Sequence, residues 1–224
     1  MKKATAIIFD LDGTLLDTAR DFTRTLNILL SENSQPPQPY AAVRNAVSNG
    51  ANALVTLGFN TRVGDPKHQR LHQRLLALYA ENLAVHTRFF PGMDELLARL
   101  KQCQIPWGIV TNKPKQFTLP LLEQLSVCPP NNAVVCPEDV IKRKPDPEPM
   151  LLACKMLNCC PEHTLCVGDH PRDIASGKAA GMPTVAALYG YISMDEEPRH
   201  WRADHYVTKI SELDALIQLT INDS

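Results

Sequence analysis

The sequence predicts an α/β protein in which helices flank a parallel β-sheet, with a small helical domain inserted into the chain. Short apolar runs recur without polar alternation, as is typical of strands buried on both faces. These runs are Ala6–Phe9, Trp107–Val110, Ala133–Val135, Thr164–Val167 and Thr184–Ala187. Amphipathic segments lie between them, and this alternation favours a parallel sheet. A long stretch, residues 10–106, separates the first two runs.

The segments between the later runs have the apolar spacing of helices that pack on a sheet. We predict helices at Asp94–Lys101, Lys115–Gln124, Glu148–Leu157 and Pro171–Gly181. The last of these begins with Pro and ends with Gly, the usual places of these two residues at helix ends.

The long stretch after the first run is far longer than one crossover connection requires. Most of it has a helical pattern, with predicted helices at Ala19–Leu30, Val43–Val47, Asn52–Leu57 and Lys67–Leu83. We therefore predict a core formed by residues 1–16 and 89–224, and an inserted helical domain of residues 17–88. Two connections to one small domain are compatible with a hinged lid.

Composition narrows the choice of partners and compartment. The 224 residues carry a net charge of -1, which favours neither nucleic acid nor an anionic membrane as a partner. We find no apolar stretch of the length of a membrane helix, and the apolar start at Ala6–Phe9 is too short for a secretory signal. The seven cysteines are odd in number, and Cys159-Cys160 lacks the spacing of a zinc site. Free thiols predict a cytoplasmic protein.

Two carboxylates follow the first predicted strand. The segment Phe9–Leu15 is FDLDGTL, so that Asp10 and Asp12 stand two residues apart at the carboxyl end of a buried strand. In a continuing strand they would share one face, and Gly13 permits a turn that few other residues can make. Burial of carboxylates at a strand end costs free energy, so their presence indicates a function. The alternative is that Asp10 and Asp12 are solvated residues of a turn.

Two further carboxylates follow the predicted strand Thr164–Val167. The segment Gly168–Asp173 is GDHPRD. Mg²⁺ prefers oxygen ligands, and Asp10, Asp12 and Asp169 could supply them from adjacent strands. Asp173, in the first turn of a helix, could hold a metal-bound water or Asp169. Helix capping by Asp169 and Asp173 is a compatible alternative, and ligation by His170 is disfavoured.

Two other segments could bind an anion. Thr111 follows the second predicted strand, and a hydroxyl at the start of a helix suits a phosphate oxygen, although N-capping is common there. Asn112, beside it, is a candidate substrate-binding residue. Lys144 lies in a Pro-rich loop that could aim its ammonium group into a site, although most lysines are at the surface.

Together, these segments resemble the four motifs of the haloacid dehalogenase superfamily, subfamily I, in which a helical cap lies between the first two motifs. The matching residues are Asp10–Thr14, Thr111, Lys144, and Gly168-Asp169 with Asp173. The resemblance implies a Rossmann-like core with the site at the switch point of the sheet. It also implies a Mg²⁺-dependent phosphatase that acts on a small-molecule phosphate ester, as a monomer or homodimer.

The resemblance further implies a role for each residue. Asp10 would be the nucleophile and form an aspartyl phosphate, and Asp12 would be the general acid and base. Thr111 and Lys144 would bind phosphoryl oxygens. Asp12 argues against a dehalogenase, since halide leaves unprotonated. The inserted domain has only Lys67 as a lysine, in a polar stretch, which disfavours a phosphonatase. A sugar-phosphate mutase stays open, and so does a non-catalytic binding protein on the same fold.

Two substrate classes are suggested by finer resemblances. Ser48–Leu54 resembles the substrate loop of phosphoglycolate phosphatases, in which Asn49, Gly50 and Asn52 would meet the substrate. An ordinary loop before a helix is the alternative. Other segments are similar to those of N-acetylmuramic acid 6-phosphate phosphatases, namely Val110–Pro114, Cys136–Val140, Leu188–Ile192 and Trp201–Asp204. The second resemblance is the more detailed, so it favours the muramic acid ester over 2-phosphoglycolate.

Overall fold

The computed structural model describes residues 4–193 and 195–222. The chain divides into two compact units, one of Met1–Leu16 with Phe89–Ser224 and the other of Asp17–Arg88. In chain order the strands are β1 (Ala6–Phe9), β2 (Leu16–Asp17), β3 (Arg88–Phe89), β4 (Trp107–Val110), β5 (Val134–Val135), β6 (Thr164–Gly168), β7 (Thr184–Ala187) and β8 (His205–Val207). The predicted α/β fold is confirmed.

The larger unit is built on a six-stranded sheet of order β5-β4-β1-β6-β7-β8, and every strand pair in it is parallel. In the central strand β1, Ile8 lies opposite Gly108 of β4 and Cys166 of β6. The chain runs outward from β1 in both directions, through β4 and β5 on one side and β6 to β8 on the other. Because the strands are parallel, the carboxyl ends of β1, β4 and β6 lie side by side at one edge of the sheet, where the strand order reverses.

Helices pack against this sheet. In chain order after the inserted unit they are α5 (Met93–Gln102), α6 (Lys115–Gln124), α7 (Glu148–Leu157), α8 (Pro171–Ala179) and α9 (Ile210–Asn222), and the inserted unit holds α1 (Ala19–Glu32), α2 (Tyr40–Val47), α3 (Gly50–Phe59) and α4 (Pro66–Glu81). Helix α7 packs on β4 and β5, and α8 packs on β6 and β7. Buried apolar side chains of α7 and β1 form one continuous core cluster.

The inserted unit has its own apolar core, formed where α1 packs against α2, α3 and α4. Phe22 of α1 stacks on Tyr79 of α4, with ring centroids 4.1 Å apart. Leu26, Leu30 and Leu54 are fully buried. A separate apolar core is what a segment needs in order to form a compact domain of its own.

The ends of the inserted unit are joined by a buried carboxylate. Asp21, in the first turn of α1, is fully buried. It accepts hydrogen bonds from His86 N at 2.7 Å, Thr87 N at 3.1 Å and Thr87 Oγ1 at 2.6 Å. The point where the chain enters this unit is therefore fixed beside the point where it leaves. Within the described residues, none of the helices has the length and hydropathy needed to cross a membrane.

Candidate active site

The candidate active site lies at the carboxyl ends of the three central strands. Asp10 directly follows β1, Thr111 follows β4 and Asp169 follows β6, so the parallel sheet brings the three residues to one edge. All three are buried, with exposed fractions of 6%, 4% and 2% respectively. Polar side chains buried at this depth require partners, and the site supplies them.

Three carboxylates converge here. One oxygen from each of Asp10, Asp169 and Asp173 lies within 4.8 Å of the others. Asp173, in the first turn of α8, accepts a hydrogen bond from His170 N at 3.0 Å, which completes a capping box at the start of this helix. Helix capping thus aims the other oxygen of Asp173 into the cluster.

Asp169 is held from two other loops. Thr14 Oγ1 donates to Asp169 Oδ1 at 3.0 Å, and Tyr191 N donates to Asp169 Oδ2 at 2.7 Å. The loops approach so closely that a Cβ atom at Gly13, where φ is +92°, would lie 2.1 Å from Asp169 Oδ2. A Cβ atom at Gly190 would lie 2.3 Å from Asp169 Cβ. Glycine is therefore required at both positions for Asp169 to occupy this place.

Lys144 is the cation at the centre of the cluster. Its Nζ atom lies 2.6 Å from Asp10 Oδ1, 2.7 Å from Val110 O and 2.8 Å from Asp173 Oδ1. The contacts to Asp10 and Val110 are hydrogen bonds, and the contact to Asp173 is an ion pair. Asn112 Nδ2 donates to Lys144 O at 3.1 Å and so ties the lysine loop to the end of β4.

Burial and charge shift the pKa values of this cluster. Burial raises the pKa of Asp10 to about 6, although Lys144 opposes the shift. Burial raises the pKa of Asp169 well above its usual value, and the charges of Asp10 and Asp173 add to the effect. Burial disfavours the ammonium form of Lys144, but Asp10 and Asp173 outweigh burial and raise its pKa. Three carboxylates around one ammonium group leave an excess of negative charge.

A second ion pair lies at the same edge of the sheet. Lys113 Nζ lies 3.1 Å from Asp12 Oδ1 and 3.3 Å from Asp12 Oδ2. Thr111 Oγ1 accepts a hydrogen bond from Lys113 N at 3.1 Å. The Asp12 carboxylate is thus paired with Lys113 and does not belong to the group formed by Asp10, Asp169 and Asp173.

Lys113 was missed by the sequence reasoning, which gave it no role. The available signal was its place, three residues beyond the last residue of the buried strand β4, where the side chain is 4% exposed. His170, the disfavoured ligand, accepts a hydrogen bond from Arg172 N at 3.2 Å through Nδ1. Burial lowers the pKa of His170 to about 4, and the nearby Arg172 adds to this shift.

The other predicted substrate residues lie in the inserted unit. Asn49 directly precedes α3, and Gly50 begins this helix with φ at +79°. Asn52 Oδ1 lies 3.1 Å from Nε2 of the buried His68, whose Nδ1 lies 3.0 Å from Thr61 Oγ1. A role for Asn49, Gly50 and Asn52 in substrate binding stays a prediction.

The fold and this arrangement define the class of protein, and comparison with known proteins agrees. Residues 7–187 match the model of the haloacid dehalogenase-like hydrolase family, and the chain belongs to this family. The predictions of the superfamily and of a hydrolase are thereby confirmed.

Two bacterial relatives are similar over nearly their whole length. The N-acetylmuramic acid 6-phosphate phosphatase of Pseudomonas aeruginosa is 42% identical over 93% of this chain and 92% of that protein. A phosphoglycolate phosphatase of Xanthomonas campestris is 37% identical over 95% of this chain and 96% of that protein. A crystal structure from Haemophilus somnus, described as a predicted phosphoglycolate phosphatase, has the same fold, with a TM-score of 0.81, 24% identity, and coverage of 96% of this chain and 99% of that one.

Proposed function

We propose that this chain is a Mg²⁺-dependent phosphomonoester hydrolase that forms an aspartyl phosphate on Asp10. One observation carries the proposal. The Asp10 carboxylate is buried at the end of the central strand, bonded to Lys144 and clustered with Asp169 and Asp173. A carboxylate held beside a buried cation suits attack on a phosphoryl group, because its position is fixed before the substrate arrives.

The donor set fits a magnesium ion. Carboxylate oxygens are the hard ligands that Mg²⁺ takes, and three of them lie within reach of one ion. Burial raises the pKa values of Asp10 and Asp169, and the negative charge of the neighbouring carboxylates adds to both shifts, so a bound cation would be favoured here. Asp10 and Asp169 would hold the ion, with Asp173 beside them. When bound, Mg²⁺ would offset negative charge on the phosphoryl oxygens.

Asp12, the remaining proposed Mg²⁺ ligand, differs from Asp10 and Asp169 because its carboxylate lies outside their cluster. Because its carboxylate is paired with Lys113, Asp12 would have to use its main-chain carbonyl as a ligand or release that pair. The side chain is then available as the general acid and base that the mechanism needs. In this arrangement the carboxylates of Asp10 and Asp169 would bind the cation, and the carboxylate of Asp12 would transfer protons.

The chain's own residues support a two-step reaction. A carboxylate oxygen of Asp10 attacks phosphorus, the bond to the ester oxygen breaks, and Asp12 gives this oxygen a proton. Asp12 then takes a proton from water, the water oxygen attacks phosphorus, and the bond from phosphorus to Asp10 breaks. Thr111 and Lys144 would bind the phosphoryl oxygens throughout, and both are buried beside Asp10 at the same sheet edge.

We propose N-acetylmuramic acid 6-phosphate as the substrate and Asp17–Arg88 as the cap that selects it. The 42% identity to the phosphatase named for this ester supports the choice, and the 37% identity to a phosphoglycolate phosphatase makes 2-phosphoglycolate the second candidate. Asn49, Gly50 and Asn52 in the cap, with Asn112 in the core, would contact the substrate beyond its phosphate group. We further propose a cytoplasmic enzyme, monomeric or homodimeric, that acts on a free metabolite.

Phosphate release is the test of this function. The purified chain is incubated with Mg²⁺ or EDTA and with N-acetylmuramic acid 6-phosphate, 2-phosphoglycolate and several other sugar phosphates. We expect hydrolysis that requires Mg²⁺, is abolished in Asp10→Asn and is fastest with the muramic acid ester. Isomerisation of a sugar phosphate without release would instead establish a mutase. Equal rates on every ester would overturn the proposed role of the cap residues.

A further inference from the structure

The ion pair of Lys113 and Asp12 has a geometry that fixes a carboxylate in place. Lys113 Nζ contacts both oxygens of Asp12, at 3.1 and 3.3 Å. A contact to both oxygens defines the plane of the carboxylate as well as its position. Contact to one oxygen would leave the group free to rotate.

Lys113 is itself held firmly. Its main-chain N–H donates to Thr111 Oγ1 at 3.1 Å, and its carbonyl oxygen accepts from Thr118 Oγ1 at 3.2 Å. The lysine side chain is 4% exposed, whereas the side chain of Asp12 is 20% exposed. The buried partner is thus the cation, and the partner with access to solvent is the carboxylate.

The ion pair of Lys113 and Asp12 is not expected to add much to the stability of the fold. Removing a lysine ammonium group from water has a penalty that attraction to one carboxylate only roughly offsets. An apolar side chain of the same length would fill the space without this penalty. The pair is better explained by what it does to Asp12, the proposed general acid, whose carboxylate it fixes in one orientation.

We propose that Lys113 is a positioning residue for the proton-transfer step, which holds the Asp12 carboxylate in the orientation needed to protonate the leaving oxygen. The inference rests on the phosphatase function proposed above. Lys113 would contribute little when the leaving group departs without a proton. It would contribute strongly when the leaving group is a poor one.

Leaving-group dependence tests this role. The wild-type chain and Lys113→Met are compared on substituted phenyl phosphates that differ in the acidity of the phenol, with kcat/KM as the readout. This quantity covers the steps up to release of the phenol, so slow hydrolysis of the aspartyl phosphate does not mask the effect. Lys115→Met is the matched control, because Lys115 lies two residues further on, has a side chain that is 43% exposed, and pairs with Asp139.

We expect Lys113→Met to lower kcat/KM by about 10- to 100-fold for esters of weakly acidic phenols, within the usual contribution of general acid catalysis. For 4-nitrophenyl phosphate we expect a loss of about threefold or less, and for Lys115→Met we expect no loss with any ester. An equal loss on all esters would show that Lys113 binds the phosphoryl group or supports the fold, and would overturn the inference.

A double variant separates the remaining explanations. In Asp12→Asn the proton donor is absent, so Lys113→Met should have no further effect on the esters of weakly acidic phenols, for which the single variant is expected to lose most activity. A further loss in the double variant would mean that Lys113 acts independently of Asp12, contrary to the inference. If the wild-type chain released no phosphate from any ester, the proposed function would fail and the inference with it. Thermal unfolding of each variant verifies that it is folded.

Discussion

Lys144 Nζ lies 2.6 Å from Asp10 Oδ1 and pairs its positive charge with this buried carboxylate. The lysine comes from a loop 134 residues further along the chain. Its other contacts include the carboxylate of Asp173, so one ammonium group compensates two buried carboxylates. Loss of Lys144 would therefore change the net charge of the cluster, the position of the Asp10 carboxylate and the stability of the fold together.

Replacement of Lys144 tests that dependence. We expect Lys144→Met to lower the free energy of unfolding at pH 7.5 by about 3–5 kcal/mol, since Asp10 and Asp173 remain buried without their cation. The deficit should shrink toward pH 5, because protonation removes the uncompensated charge. Urea unfolding at both pH values, without divalent ions, gives the comparison. The exposed Lys142, in the same loop, provides the control Lys142→Met. An equal deficit at both pH values would contradict this account.

Burial of Asp10 also predicts how stability varies with pH. The folded-state pKa of Asp10 is raised to about 6, so the folded chain binds this proton more tightly than the unfolded chain does. The resulting stabilisation is fully present below the unfolded pKa, at about 4, and is lost as the pH rises through 6. Without divalent ions, the chain should be more stable at pH 5 than at pH 7.5.

Asp10→Asn removes the titrating group and isolates this effect. At pH 7.5 without divalent ions, we expect the variant to be more stable than the wild type by about 1–3 kcal/mol, a gain that should vanish near pH 4. Added Mg²⁺ should raise the melting temperature of the wild type more than that of the variant, because binding stabilises the folded state. A variant less stable than the wild type at pH 7.5 would show that Asp10 is not strained by its charge.

Substitution of Gly13 tests whether the close contact between its loop and Asp169 is needed for activity. We expect Gly13→Ala to abolish most phosphatase activity, because the added Cβ would lie 2.1 Å from Asp169 Oδ2 and displace it. The control is Gly181→Ala, since Gly181 also has a positive φ, at +79°, but an added Cβ there has open space around it among the described residues. Both variants carry backbone strain of about 1 kcal/mol, and only the first should lose activity. Comparable activity in both would argue against a fixed place for Asp169.

The buried Asp21 predicts local unfolding behaviour in the inserted unit. Asp21→Ala leaves His86 N and both donors of Thr87 without their acceptor, which destabilises by about 1–3 kcal/mol for each group. We expect faster amide hydrogen exchange at His86 and Thr87, measured by mass spectrometry or NMR. Asp65→Ala, which removes an exposed acceptor from Arg62 N, should leave these amides unchanged. Unchanged exchange in Asp21→Ala would refute the proposed role of Asp21.

Strands that are buried on both faces were predictable from sequence. Ile7, Ile8 and Phe9 are all buried, and the continuous apolar run reflects this directly. Strand β8 and helix α9 were not predicted. Two of the three residues of β8, His205 and Tyr206, are only half-buried, so this edge strand lacks an apolar run.

The site was predictable wherever a residue follows a strand directly. Asp10, Thr111 and Asp169 each stand one residue beyond a strand, and parallel pairing brings such positions together. The partner of Asp12 was not predictable, because Lys113 is 101 residues away in the chain and nothing local requires its side chain to turn toward Asp12. Gly190 was overlooked for a similar reason, since its need for a small residue arises from contact with Asp169.

The link between Asp21 and Thr87 has a consequence for how this chain can be altered. Residues 17–88 form a segment whose two ends are held side by side by their own hydrogen bonds, independently of what lies beyond them. Such a segment can be exchanged for another of different length or sequence without requiring the host chain to bridge a new distance. Substrate selectivity could then change in evolution by exchange of residues 17–88 as one unit, while the six-stranded sheet and the active-site residues at its edge stay the same.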